Sequence, residues 1–219
     1  MPARKEAARS GNGRAATLPA QTRPRGRPRK EIDLDAVADA AAALFAEGGY
    51  DAVSIEATAE KLSVSRATLY RTVPTKEDLL GILFERSTSE LYGTAQGVVA
   101  EAADPAEALS GLIRVHVEAA IRMRRYMAVF FGGAGLPPDV FAGWQRWSRD
   151  YEKLWQKVVR QAMEAGVLAA GDAKVATRLI LGMVIWVSRW YRPSERLTAD
   201  EIADVAIHLM GKGLPTVRH

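Results

Sequence analysis

The chain has 219 residues, 48% hydrophobic and 26% charged, enough to bury a sizeable core as one large domain or two small ones. It contains no cysteine, which excludes a disulfide framework, thiolate chemistry and any Cys-based zinc site, and fits a reducing cytoplasm. The net charge of +4 hides a division: residues 1–30 hold nine Lys/Arg against the single Glu6, a net of +8, and the remainder carries −4.

The basic segment comes first. Apart from Met1 its only large aliphatic is Leu18, too little apolar surface to offset the entropy of ordering, so it is expected to be disordered in isolation. Its composition would also suit an organelle transit peptide, but it has no apolar core of the secretory kind. Residues 23–30 read RPRGRPRK, and Gly26-Arg27-Pro28 matches the core of an AT-hook. Two readings of it stand, contact with phosphates alone or entry of Arg25 and Arg27 into the minor groove.

Helical periodicity begins immediately after. Leu34, Val37, Ala38, Ala41, Leu44 and Phe45 recur at steps of three and four until Gly48-Gly49, predicting an amphipathic helix capped by Asp33. Ser54 is placed to cap a second helix with Ile55, Ala59 and Leu62 on one face. Ser63-Val64-Ser65 breaks it, and a third, short helix runs from Arg66 to about Thr72 before Pro74. Thr75 and Asp78 stand at capping-box spacing and open a long fourth helix through Leu79, Leu80, Leu83, Phe84 and Leu91.

Residues 54–80 therefore form two short helices joined by a three-residue turn. Ala59 and Ser63 supply the small residue and tight turn that let the second helix stand across the first and project outward. Its outward face offers Ser65, Arg66, Thr68, Tyr70 and Arg71, hydroxyls and forked cations suited to base edges and phosphates.

Over ALFAEGGYDAVSIEATAEKLSVSRATLYRTVPTKEDLL, residues 43–80, the chain resembles the TetR family of bacterial one-component transcription regulators. The resemblance rests on LF-x-E-x-GY, VS-x-x-TLY and K-E-x-LL. It implies that Ser65, Arg66, Ala67, Thr68 and Tyr70 lie in or over the major groove, with Tyr70 reaching a phosphate. It further implies that Lys76 and Ser54 grip the backbone from the starts of the fourth and second helices. Thr58 stands where an aliphatic is common, which is expected to loosen the core slightly. Thr72-Val73 replaces a usual His-Phe pair, removing a common contact to the fourth helix. The family implies a two-fold dimer on a palindromic double-stranded DNA operator.

Beyond residue 100 the pattern stays helical. Asp104-Pro105 opens a segment to about Phe131, residues 132–138 break it, a second runs to Gly166, and a third from about Asp172 stops before Pro193. Thr198 and Glu201 form another capping box for a final helix. The fold class is all-α with about nine helices, divided as a basic arm (1–30), a helix-turn-helix domain (31–80) and an effector-binding and dimerisation domain (81–219).

Val175 to Tyr191 is apolar nearly all round and must be covered on both sides, by the core and by a partner subunit. Met183, Trp186 and Trp190, with Val205 and Leu209 of the last helix, are the candidate self-association residues, and Gly182 stands where a close helix approach is one of two readings. An apolar cavity is expected among the clustered aromatics and methionines, with Met123, Met127, Phe130, Trp144, Trp147 and Tyr151 as candidate lining. His116 has two readings, a satisfied core histidine or an effector contact. Arg122, Arg124 and Arg125 would suit an anionic effector if they flank the cavity mouth. The stretch WVSRWYRPSERLTADEIA, residues 186–203, resembles a TetR subgroup that regulates lipid and sterol breakdown in response to acyl-coenzyme A thioesters, which makes Arg189 a candidate contact.

No catalytic or phosphate-loop motif occurs and the three histidines are scattered, so neither catalysis, a metal nor a cofactor is expected. The longest apolar run, Leu179–Val187, is nine residues, well short of the roughly 20 that cross a bilayer. The expected partners are operator DNA, a second copy of the chain and a small-molecule effector, with no membrane, in the cytoplasm. An architectural minor-groove protein is the alternative.

Overall fold

The computed structural model describes residues 32–132 and 138–212, and the side chains of 126–132, 195 and 212 lie outside that description. Arg25 and Arg27 of the basic arm, and the side chains of Met127 and Phe130, therefore fall outside the described residues. Among those described, every regular element is helical: eight α-helices and two 3-10 turns, Tyr50–Ala52 and Pro193–Glu195, against the roughly nine helices expected.

The first three helices are α1 (Leu34–Gly48), α2 (Ile55–Lys61) and α3 (Arg66–Tyr70). Asp33 caps α1 by accepting from the Asp35 N–H at 3.0 Å, and Gly49, at φ +71°, ends it. Ser54 Oγ accepts from Ala57 N and Ser65 Oγ from Thr68 N, so both short helices begin on a hydroxyl cap. The turn between them is tight enough to hold Ser63 at φ +53°. Val37, Phe45, Val53, Ile55, Leu69 and Val73 close the core beneath them.

Two positions that depart from the family pattern are both buried. Thr58 is fully buried, and its hydroxyl donates to the Ser54 carbonyl at 2.7 Å, which leaves only its methyl to pack. Val73 is fully buried as well, so the position still contributes to the packing under α4.

Helix α4 (Lys76–Glu101) starts on the reciprocal Thr75–Asp78 capping box and runs through the molecule. Its N-terminal half packs on α1 through Leu79, Leu80 and Leu83, and it also packs on α5 (Pro105–Gly132) and α6 (Pro138–Glu164). Two glycines set those spacings. A Cβ at Gly81 would stand 2.8 Å from Val140 of α6, and one at Gly111 would collide with Val98. Helix α5 is the centre, touching α4, α6, α7 (Ala173–Trp190) and α8 (Ala199–Lys212). Arg114 of α5 pairs with Asp200 and Asp204 of α8, and the Thr198–Glu201 capping box starts that helix.

Candidate functional site

Three surfaces can bear function: the outward face of α3, a cavity between α4, α5, α6 and α7, and an apolar cleft between α7 and α8.

On the α3 face, Ser65, Arg66, Ala67, Tyr70 and Arg71 are exposed and Thr68 is partly so. Their readiness for a new partner differs. Ser65 Oγ is engaged at 3.1 Å by the Thr68 N–H and at 2.7 Å by the Thr68 hydroxyl, so it holds the helix start together. The Tyr70 hydroxyl donates to Glu56 of α2 at 2.8 Å. That bond is the main reason the Glu56 carboxyl sits below its usual range and the Tyr70 phenol above its own. Lys76 donates to the Tyr50 carbonyl at 2.6 Å and lies 3.7 Å over the Tyr50 ring centre. Arg66 and Arg71 have no hydrogen-bond or ion-pair partner among the described residues.

The cavity measures about 310 Å³. Of the residues expected to line it, His116, Met123, Trp144, Trp147 and Tyr151 do so, and they come from α5 and α6. Helix α4 adds Phe84, Thr88 and Leu91, and α7 adds Arg178, Leu181 and Ile185. Trp147 stacks on Tyr151 with ring centres 5.0 Å apart, and its indole N–H donates to the Thr88 carbonyl at 3.0 Å. The wall thus ties α6 to α4. His116 is buried, hydrogen-bonded through Nδ1 to the Tyr151 hydroxyl at 2.9 Å, and part of the cavity lining.

Two groups considered for the cavity do not line it. Arg189 is exposed near the end of α7 and does not line it, because the α7 residues facing inward are one turn or more toward the N-terminus. Arg122, Arg124 and Arg125 are not in its wall either: Arg122 lies 4.0 Å from Glu90, Arg124 donates to the Ile121 carbonyl, and Arg125 donates to the Ala46 carbonyl near the end of α1. The cation actually present is Arg178, paired with Glu152 at 2.8 Å, the two partners 26 residues apart in sequence. No local pattern announces that pair. Phe84, Thr88 and Leu91 carried a signal that went unused, a polar residue inside an apolar i, i+4, i+7 stripe of α4.

Burial pushes the His116 pKa down to about 4, while the unfolded chain protonates it near 6.5. Between those values the unfolded state binds a proton that the native state does not, so stability falls as pH drops. From about pH 7 to about pH 5 this group alone should remove about 2 kcal/mol. Urea unfolding of wild type and His116→Gln at both pH values checks this: the acid-induced loss should be smaller in the variant by that amount.

The third surface is an open cleft of about 530 Å³ lined by Met183, Trp186, Trp190, Leu197, Val205 and Leu209 among others. Gly182 borders it, and a Cβ there would touch nothing, so no close approach within the chain explains this glycine.

Comparison with known proteins agrees with this geometry. Residues 37–81 match the model of the family described as bacterial regulatory proteins, tetR family, and residues 102–214 match that of the tetracyclin repressor-like C-terminal domain. The HTH-type transcriptional repressor KstR2 of Mycobacterium tuberculosis is 26% identical over 178 residues, covering 80% of this chain and 88% of its own. A TetR/AcrR-family regulator from Thermobifida fusca superposes with a TM-score of 0.72 at 27% identity, over 82% of this chain and 97% of that one. AibR, solved with isovaleryl coenzyme A and operator DNA, shares the fold at a TM-score of 0.69 and 24% identity, over 83% and 99%. This chain belongs to the TetR family of bacterial transcriptional regulators.

Proposed function

We propose that the chain is a ligand-responsive repressor that binds a palindromic operator as a two-fold dimer and releases it when a hydrophobic or amphipathic small molecule fills the α4–α7 cavity. The observation that carries this is the course of α4. The helix packs on α1 at Leu79, Leu80 and Leu83, and lines the cavity one to three turns later with Phe84, Thr88 and Leu91. A ligand that favours one position of α4 over another therefore shifts the recognition helices by the same differential affinity.

In this reading Ser65, Arg66, Ala67, Thr68 and Tyr70 face the major groove, Arg71, Lys76 and Ser54 meet phosphates, and Arg25 and Arg27 of the arm enter the minor groove. The exposed apolar faces of α7 and α8 form the four-helix dimer interface. A coenzyme A thioester is the finer effector reading, supported by the W-x-x-x-WYRP stretch at residues 186–193 and by AibR, which was solved with isovaleryl coenzyme A. The cavity favours a regulator over an architectural DNA-binding protein, which has no use for one.

Footprinting on the promoter DNA around the gene tests the proposal. A two-fold symmetric footprint with half-sites about one helical turn apart, or slightly more, is expected. It should be lost when a ligand shown by calorimetry to bind is added at constant salt. Occupancy unchanged at saturating ligand would refute induction by this route.

A further inference from the structure

The cavity holds one buried polar corner, and its hydrogen-bond polarity can be worked out. Among the described residues the Tyr151 hydroxyl has a single partner, His116 Nδ1 at 2.9 Å. Either tautomer leaves one donor over, the phenol O–H or the imidazole Nε2–H; among the described residues the Trp155 indole nitrogen is the one fully buried side-chain N or O atom without a partner, so His116 Nε2 is open to the cavity and the spare donor is least costly there. The neighbouring indole argues the same way. Trp155 is fully buried, its N–H has no hydrogen-bond partner, and its ring meets the edges of Tyr151 and His116 at centre distances of 6.4 and 5.8 Å. An indole N–H only donates, so beside the phenol it favours the oxygen as acceptor and the O–H as donor to Nδ1. With Nδ1 accepting, the ring proton sits on Nε2.

His116 Nε2–H meets no acceptor among the described residues, while the ring lines the cavity. The rest of the lining is mostly apolar and aromatic, with Thr88, Ser148 and Glu152 as further polar groups and no buried cation among the described residues. The one cation in the lining, Arg178, belongs to α7, is largely exposed and is already paired with Glu152. A carboxylate placed at the His116 corner would lose its hydration and gain no counter-charge.

We propose that the effector presents an uncharged carbonyl oxygen, on an apolar body, to His116 Nε2–H, and that Tyr151 acts as the positioning residue holding that tautomer. The inference rests on the cavity being the effector site. It narrows the class at this corner to ketones, esters and thioesters and excludes free acids.

Calorimetric titration of the full chain with 2-decanone and with decanoate tests it. Wild type should bind 2-decanone about tenfold or more tighter than decanoate. His116→Leu should lose most of that preference, and His116→Gln, which keeps an N–H donor, should retain part of it. Tyr151→Phe, with His116 intact, should also weaken 2-decanone binding, since the tautomer is no longer held. Circular dichroism establishes that each variant is folded. Equal binding of the two probes by wild type, unchanged ketone binding in folded His116→Leu, or no binding of either probe would overturn the proposal. The readout is binding itself: ketone binding through His116 with the operator still occupied would refute the release mechanism and leave this assignment standing.

Discussion

Replacing Leu179 and Leu209 together with aspartate is expected to give a folded monomer that has lost operator binding by at least about a hundredfold. Of the ten large apolar or aromatic side chains exposed among the described residues, seven belong to α7, α8 and the link between them: Val175, Leu179, Trp186, Trp190, Leu197, Val205 and Leu209, the last five lining the cleft. Leu179 and Leu209 are 70% and 63% exposed, so their replacement removes nothing from the subunit's own core. Such a concentration on one face is what a self-complementary interface leaves when a subunit stands alone. Burying each leucine in a dimer is worth roughly 1.5–3 kcal/mol, and each symmetric change acts twice. Introducing four carboxylates there forfeits that gain and adds unpaired charge, which costs more. Sedimentation velocity reads the monomer directly and a gel shift reads the affinity; a variant still sedimenting as a dimer would remove these faces from the interface.

The same corner shows what could be read from the sequence. Val175 to Tyr191 is apolar on every side, and a helix of that kind must be covered twice; the structure covers Ile180, Val184 and Val187 from within and leaves Leu179 and Trp186 outside. The helix-turn-helix was legible for a different reason: its caps, Ser54, Ser65 and Thr75, are local chemistry within four residues of the groups they bind. The cavity was only half legible. His116 and Met123 on α5 and the aromatics on α6 marked two walls, because bulky residues clustered on adjoining helices end up adjacent. The wall from α7 and the Arg178–Glu152 pair depend on a tertiary contact between residues 26 apart, and the arginines nearest the aromatics in sequence, Arg122, Arg124 and Arg125, go to Glu90, the Ile121 carbonyl and α1. Periodicity identifies the face of a helix; it does not say which neighbour that face meets.

On the recognition face, Arg66→Ala is expected to weaken operator binding about ten- to a hundredfold, the range of one good arginine contact to a base or a phosphate pair. Tyr70→Phe is expected to cost less than about fivefold, although both residues sit on the same short helix. The difference comes from what each group gives up on binding. Arg66 has no hydrogen-bond or ion-pair partner among the described residues and feels only the nearby charge of Glu56, so a contact with DNA breaks no existing bond. Tyr70 already donates to Glu56, and turning to a phosphate exchanges one charged acceptor for another while leaving the Glu56 carboxylate beside the DNA backbone. Ser65 is less informative, because its hydroxyl caps α3 and its loss would unravel the helix before any DNA contact was tested. Titrations of the two variants against operator and against scrambled duplex, at one salt concentration, separate the roles. Arg66→Ala should lower the ratio between the two if Arg66 reads a base, and Tyr70→Phe should lower both affinities alike. A larger loss for Tyr70→Phe than for Arg66→Ala would show that the Glu56 bond does not hold the hydroxyl in solution.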